Sequence, residues 1–244
     1  MERIAIFAAL QWECRCVLTH LRQASRDRVG AAVRWRGSAS GREVWLVKTG
    51  IGLQRAGEAV GAVAGAGVEL IVSTGCAGGL VPSLRPGDLA VATAILDGAA
   101  GRFETDAAGR ARALRAATAA GLRAVDAPVL CSGEALATSA AKHAAAAGGA
   151  VAVEMEGAAT AAYAVQAGVR FVSVRAVLDA VEHELQLPAT LVDQATGTVR
   201  PLALTGHVVA HPGTIPELID LQRLQRAASA SLTRFFERWL AALD

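Results

Sequence analysis

No stretch of these 244 residues reaches the ~20 consecutive apolar positions that a bilayer-crossing helix needs. The long apolar tracts around 56–80 and 127–167 are rich in Ala and Gly and broken by charges, so they read as packed helices and strands. Charge of one sign is missing too. Lys+Arg number 24 against 22 Asp+Glu, and the basic residues, nearly all Arg, are spread along the chain. A net charge of +2 without a basic cluster leaves no footprint for nucleic acid. Cysteine is scarce: Cys14, Cys16, Cys76 and Cys131 have neither disulfide nor zinc spacing, and reduced thiols in a cytoplasmic protein are the simpler reading. The run Ile4–Ala8 is short and is followed by Glu13, as expected of a first strand rather than a signal peptide. There is no H-E-x-x-H and no G-x-S-x-G. His207 and His211 are four apart, but Pro212 follows at once, so they read as loop histidines and no metal is expected. Gly50-x-Gly52-x-x-Arg55 lacks the third glycine of a dinucleotide fingerprint, which sets aside a nicotinamide-dependent oxidoreductase. Without repeat, linker or boundary, a single domain over residues 1–244 is expected.

What is present is an alternation of apolar strands and small-residue helices, which argues for an α/β sandwich. Strands are expected at Ile4–Ala8, Ala32–Trp35, Glu43–Thr49, Glu69–Thr74, Leu89–Ile95, Val129–Cys131, Ala150–Val153 and Phe171–Val177. Helices are expected from Glu13 to about Ser25, then at Arg55–Ala66, Ala111–Ala120 and Ser139–Ala147, and from Gly157 to Ala167. A long one over Ile215–Leu243 carries Leu218, Leu221, Leu224, Leu232, Phe235, Trp239 and Leu240 at helical spacing. Residues 97–109 read as a surface loop, and periodicity fails from Val181 to Pro212.

The pivotal stretch is Val151–Thr160, V-A-V-E-M-E-G-A-A-T, an apolar strand ending in Glu154-Met155-Glu156 and turning into a helix. Ligands of open α/β sheets bind at the carboxyl ends of strands, and ionised carboxylates there need partners. Glu13 and Asp179 also follow apolar strands, so parallel strands would bring Glu13, Glu156 and Asp179 to one pocket, with Arg175 able to pair with one of them. Two Gly-rich turns, Thr49–Gly52 and Gly75–Gly79, would offer free backbone N–H groups to an anion, a hydroxyl or a water. Glu154 reads as structural or solvated. Cys76 has no adjacent base and reads as a small packing residue, His183 as a surface-loop residue, and the four Trp as core or interface.

These segments occur in the order Ile4–Glu13, Lys48–Gly52, Ser73–Leu80, Pro86-Gly87-Asp88, Ser132–Ala135, Val153–Glu156 and Val174–Asp179. Over about residues 3–180 this resembles the purine nucleoside phosphorylase and methylthioadenosine/S-adenosylhomocysteine nucleosidase superfamily, and Glu-Met-Glu with Arg-Ala-x-x-Asp are the specific parts. The resemblance implies a three-layer α/β sandwich with a mixed central sheet, N-glycosidic cleavage of a purine nucleoside, and no cofactor beyond inorganic phosphate as a co-substrate. It implies that Asp179 is the general acid at N7 of the base and that Glu13 activates water. Glu156 and Met155 would hold the ribose, with Arg175 behind Glu156 or on an anionic nucleophile. Leu136, Ala137 and Ile51 would face the base, and Cys76, Ala77 and Gly78 would form the nucleophile or anion loop.

Cys76 stands where the nucleosidases usually have Ser, Leu178 replaces a Ser beside the acid, and Leu136 replaces a stacking aromatic. These differences point away from methylthioadenosine itself. Leu185-Gln186-Leu187-Pro188-Ala189 and Pro212–Leu218 resemble the hopanoid-associated phosphorylase branch, linked to adenine removal from adenosylhopane. The expected partner is thus a lipid-linked nucleoside, with Leu185 to Ile215 forming a greasy wall, a membrane-facing lip, or a cover for the core or an interface. Hydrolysis is favoured over phosphorolysis because Glu13 holds the water-activating position. A cytoplasmic homo-oligomer with peripheral contact to the inner membrane is expected. The alternatives are a methylthioadenosine/S-adenosylhomocysteine nucleosidase, a general purine nucleoside phosphorylase, and a nucleoside-binding sensor without turnover.

Overall fold

The computed structural model describes residues 3–98, 101–184 and 215–243. Ten strands form one mixed sheet. Strands β1 (Arg3–Ala8), β4 (Arg42–Lys48), β5 (Leu70–Gly79) and β10 (Arg170–Asp179) run parallel in the order β4-β1-β5-β10. The antiparallel hairpin of β2 (Arg22–Val29) and β3 (Ala32–Ala39) extends the sheet beyond β4. On the other side β10 pairs with β6 (Leu89–Asp97), β6 with β8 (Ala124–Cys131), β8 with β9 (Ala152–Glu154), and β9 back with β5. That half of the sheet therefore closes into a ring, with β7 (Gly101–Glu104) on the far end of β6.

Strict alternation in the central strands builds two cores. Ile4, Ile6 and Ala8 of β1 face one cluster with Leu70, Val72, Val172 and Val174, whereas Ala5, Phe7, Ile71 and Phe171 face the other. Helices α1 (Gln11–Leu18), α3 (Ala107–Ala119) and α6 (Ile215–Ala241) cover the first face; α2 (Leu53–Ala59) and α5 (Gly157–Ala167) cover the second. The result is three layers. Helix α4 (Ser139–Ala146) sits by a third, smaller cluster around Leu80, Ala150 and Val153. Among the described residues no helix is long and apolar enough to cross a membrane.

Local chemistry corrects several boundaries. The first helix ends at Leu18 rather than Ser25, because residues 22–29 form the exposed edge strand β2, whose charged sequence hides its strand character. The surface loop expected over 97–109 contains β7 and the start of α3, where the Asp106 side chain accepts from the Gly109 N–H at 2.6 Å. Gly75–Gly79 is not a turn but the second half of β5, paired with β10 and, from Gly78, with β9. The periodicity break expected over Val181–Pro212, the apolar segment from Leu185 onward, His207 and His211 lie largely or wholly outside the described residues.

Candidate active site

The parallel strands β1, β4, β5 and β10 deliver their carboxyl ends to one cavity. Ala9, Leu10 and Glu13 follow β1, Ile51 follows β4, Cys76–Gly78 belong to β5, and Leu178 and Asp179 end β10. The closed half of the sheet adds Val153–Glu156 at the end of β9 and Glu134–Leu136 after β8. The cavity encloses about 180 Å³, an order of magnitude above the ~10–15 Å³ that admits one water. It is a small-molecule site in size. Its wall carries five acidic residues (Glu13, Glu134, Glu154, Glu156, Asp179) and no Arg or Lys among the described residues.

Glu13 is the third residue of α1, and its carboxylate reaches back over the helix start. Oε2 accepts from the Ala9 and Leu10 N–H groups at 3.0 and 2.8 Å, and Oε1 accepts from the Cys76 N–H at 2.8 Å. Reaching back to the N-cap N–H is half of a capping box, so the same side chain starts a helix and faces the cavity. Burial pushes its pKa up, against the Leu10 and Cys76 N–H donors and the Arg175 charge, which favour the ionised form. Gly75 is what lets Glu13 sit there. A Cβ at that position would lie 2.7 Å from Glu13 Oε1 and 2.9 Å from Arg175, at a φ of +143°.

Glu156 stands at the N-cap of α5 and accepts from the Gly52 N–H at 2.8 Å, with Arg175 at 3.6 Å. Burial, opposed by Arg175, lifts its pKa to about 7. Arg175 itself is 1 % exposed and does not reach the cavity wall; it lies beneath it. Its main partner is Glu154, with further bonds to Ser73 Oγ at 2.7 Å and the Thr74 carbonyl at 3.1 Å. Glu154 is accordingly structural and not solvated: it is buried, and it accepts from the Glu156 and Gly157 N–H groups at the start of α5.

Asp179 is buried, and burial raises its pKa. Its Oδ2 is ion-paired with Lys142 of α4. Lys142 was not legible as a site residue within its Ala-rich helix. The available signal was rarity, for Lys48 and Lys142 are the only lysines in a chain with 24 basic residues.

The structure thus brings Glu13, Glu156, Asp179, Met155, Ile51, Leu136, Cys76, Ala77 and Gly78 together. Two residues fall outside the wall, Arg175 beneath it and Ala137, which is exposed on the loop before α4. The anion loop needs correction as well, since the Cys76 N–H is bonded to Glu13 and is not free. The Cys76 thiol is pushed well up by burial and by Glu13, so it stays protonated. No metal-binding cluster occurs among the described residues.

Comparison with known proteins matches residues 3–203 to the phosphorylase superfamily. A 5′-methylthioadenosine/S-adenosylhomocysteine nucleosidase of Bacillus thuringiensis (strain Al Hakam) is 33% identical over 94 residues, which span 38% of this chain and 41% of that enzyme. Among solved structures, the Neisseria meningitidis nucleosidase of the same name, in complex with methylthio-immucillin-A, superposes with a TM-score of 0.77 at 20% identity over 100% of both chains. The futalosine hydrolase of Helicobacter pylori strain 26695 gives 0.77 at 18% identity, covering 99% of this chain and 98% of that one. At these identities the likeness is one of fold: an α/β nucleosidase fold with a mixed central sheet.

Proposed function

The chain belongs to the phosphorylase superfamily, and from that premise we propose that it is a single-domain enzyme cleaving the N-glycosidic bond of a 5′-substituted adenosine to release adenine, with water as nucleophile. The observation that carries this reading is three buried carboxyl groups, Glu13, Glu156 and Asp179, on one cavity wall that bears no basic side chain among the described residues. As the C1′–N9 bond breaks, the ribose gains oxocarbenium character and is stabilised by negative charge. Glu156, held by Gly52 and Arg175, accepts the ribose hydroxyls, with Met155 against the sugar. Glu13 takes a proton from the attacking water through the lone pair left on Oε1. Asp179 delivers a proton to N7, so that neutral adenine leaves. A positioned acid or base of this kind is worth ~10²–10⁴ in rate.

Water is favoured over phosphate on electrostatic grounds. A phosphate dianion would enter a wall of acidic groups with the Cys76 N–H already bonded and Arg175 turned to Glu154. Leu136, Leu178 and Ile51 give the base and the 5′ side an apolar lining. In the finer form of this reading the substituent is the lipid chain of adenosylhopane. The enzyme would then be a cytoplasmic homo-oligomer touching the inner membrane. Methylthioadenosine or S-adenosylhomocysteine is the second choice of substrate, supported by the partial identity to the Bacillus nucleosidase.

The test is adenine release by purified protein from adenosine, methylthioadenosine, S-adenosylhomocysteine and adenosylhopane, with and without phosphate. Release in phosphate-free buffer, highest with adenosylhopane, is expected. Release only with phosphate would make the enzyme a phosphorylase, and tight nucleoside binding without release would make it a sensor.

A further inference from the structure

The acid of the proposed reaction has a partner whose role does not follow from the three-carboxylate site. Lys142 is 1 % exposed, on a helix that is otherwise mostly Ala. Its ammonium has three donors, and all three are matched: Asp179 Oδ2, the Ala180 carbonyl at 3.0 Å and the His183 carbonyl at 2.7 Å. It does not line the cavity. Asp179 does, and its Oδ1 lies beside Gly78 on the same wall.

Stability alone is a poor account of this pair. A buried ion pair is commonly no more stabilising than apolar side chains of the same volume, and α4 has Ala at hand. Nor would Arg do the same work, since its planar fork suits a bidentate carboxylate, whereas three convergent oxygens suit a compact ammonium. In a chain that uses Arg for all but two of its basic residues, a buried Lys at this one carboxyl is a specific choice.

We propose that Lys142 is a positioning residue that holds Asp179 by Oδ2, leaves Oδ1 facing the departing base, and stabilises the carboxylate that remains after proton transfer. The inference rests on the nucleosidase reading for its catalytic consequence. The step balances simply. Protonated Asp179 gives its proton to N7, the electron pair of the C1′–N9 bond leaves with the base, and the new Asp179 anion is neutralised by the Lys142 cation already on it. Burial raises the Asp179 pKa and so favours the acid form, while Lys142 opposes that rise and lowers the cost of releasing the proton. The charged groups acting on Asp179 are Lys142 from α4 and His183 from the turn after β10; β5 presents only Gly78 there. Glu182 is drawn away to Ser139 at 3.3 Å and His143 at 3.4 Å on the outer side of α4.

The experiment is a carboxyl ¹³C NMR titration of Asp179 in the wild type, Lys142→Met and Lys142→Arg, alongside adenine-release kinetics. In Lys142→Met the Asp179 titration should move up by roughly 1–3 pH units, as expected on losing an opposite charge in contact. The alkaline limb of kcat should move with it, and kcat should fall roughly tenfold or more while KM stays within about twofold. Lys142→Arg should restore the titration better than the rate. An unchanged Asp179 titration in folded Lys142→Met, or a loss confined to KM, would overturn the proposal. The titration needs no turnover, so a wild type that releases no adenine would sink the nucleosidase reading while the carboxyl shift still judged the ion pair. Should Lys142→Met not fold, the wild type supplies the answer, since only two lysines give Nζ signals. The Lys142 signal should be protected from solvent exchange and move as Asp179 titrates; free exchange would overturn the pairing.

Discussion

At the scale of residues, the site works by setting carboxyl groups in unlike surroundings. Glu13 accepts three backbone N–H bonds, Glu156 shares one N–H and one guanidinium, and Asp179 has an ammonium on one oxygen only. The Glu156 pKa rises from 4.5 to about 7 on folding, so the folded state holds that proton more tightly than the unfolded chain. Its contribution to stability is therefore fully present below pH 4.5 and is lost as pH rises through about 7. Glu156→Gln, which resembles the protonated form, should leave Tm nearly unchanged at pH 5 and raise it at pH 8, measured by calorimetry on the unliganded protein. The same variant should lose ribose recognition and turnover together. In the wild type, kcat/KM should rise with pH through about 7 as Glu156 ionises and fall again once Asp179 loses its proton.

At the scale of elements, each carboxylate is placed by where a strand or helix begins or ends. Glu13 is both a helix-start residue and the closest neighbour of Gly75 on β5, where an added Cβ would lie 2.7 Å from its Oε1. Gly75→Ala should abolish activity and cost stability, in contrast to Gly98→Ala, whose Cβ meets nothing within 4 Å. Urea denaturation of the two variants decides this, and equal midpoints would remove Gly75 from its role. Most of these elements were legible because alternation and helical spacing record burial directly, as in β1, β10 and α5. The misses have physical causes. β2 is an exposed edge strand whose Arg, Gln and Asp side chains carry no apolar signal, and the glycines of β5 signal turn while their backbone is paired in the sheet. Convergence of Glu13 and Asp179 could be read from the shared polarity of β1 and β10. Glu156 instead follows β9, which runs antiparallel to β5 and meets the cavity because that half of the sheet closes into a ring. The Lys142 pairing could not be read at all. It joins a helix to a strand end 37 positions away, a separation that no local pattern encodes.

At the scale of the whole molecule, one face of the sheet is closed by α6, which threads Leu232, Phe235, Phe236, Trp239 and Leu240 into the core beside α1 and α3. Phe235 and Phe236 meet edge to face at 5.1 Å, and Trp239 stacks on Phe235 at 6.4 Å. Trp239→Ala should cost ~3–5 kcal/mol in urea denaturation and loosen the sheet that carries β1 and β10; a change under ~1 kcal/mol would mean that α6 is not needed for the fold. The carboxyl ends of β1 and β10, together with the end of β9 in the closed half of the sheet, bring acids from three distant parts of the chain around one cavity. The most direct test of that arrangement is the single-turnover rate of adenine release by Asp179→Asn in phosphate-free buffer, with nucleoside affinity measured on the same sample. A fall of ~10²–10⁴ in rate with binding largely kept is expected. An unaffected rate would take Asp179 out of the chemistry and contradict the proposed mechanism at its centre.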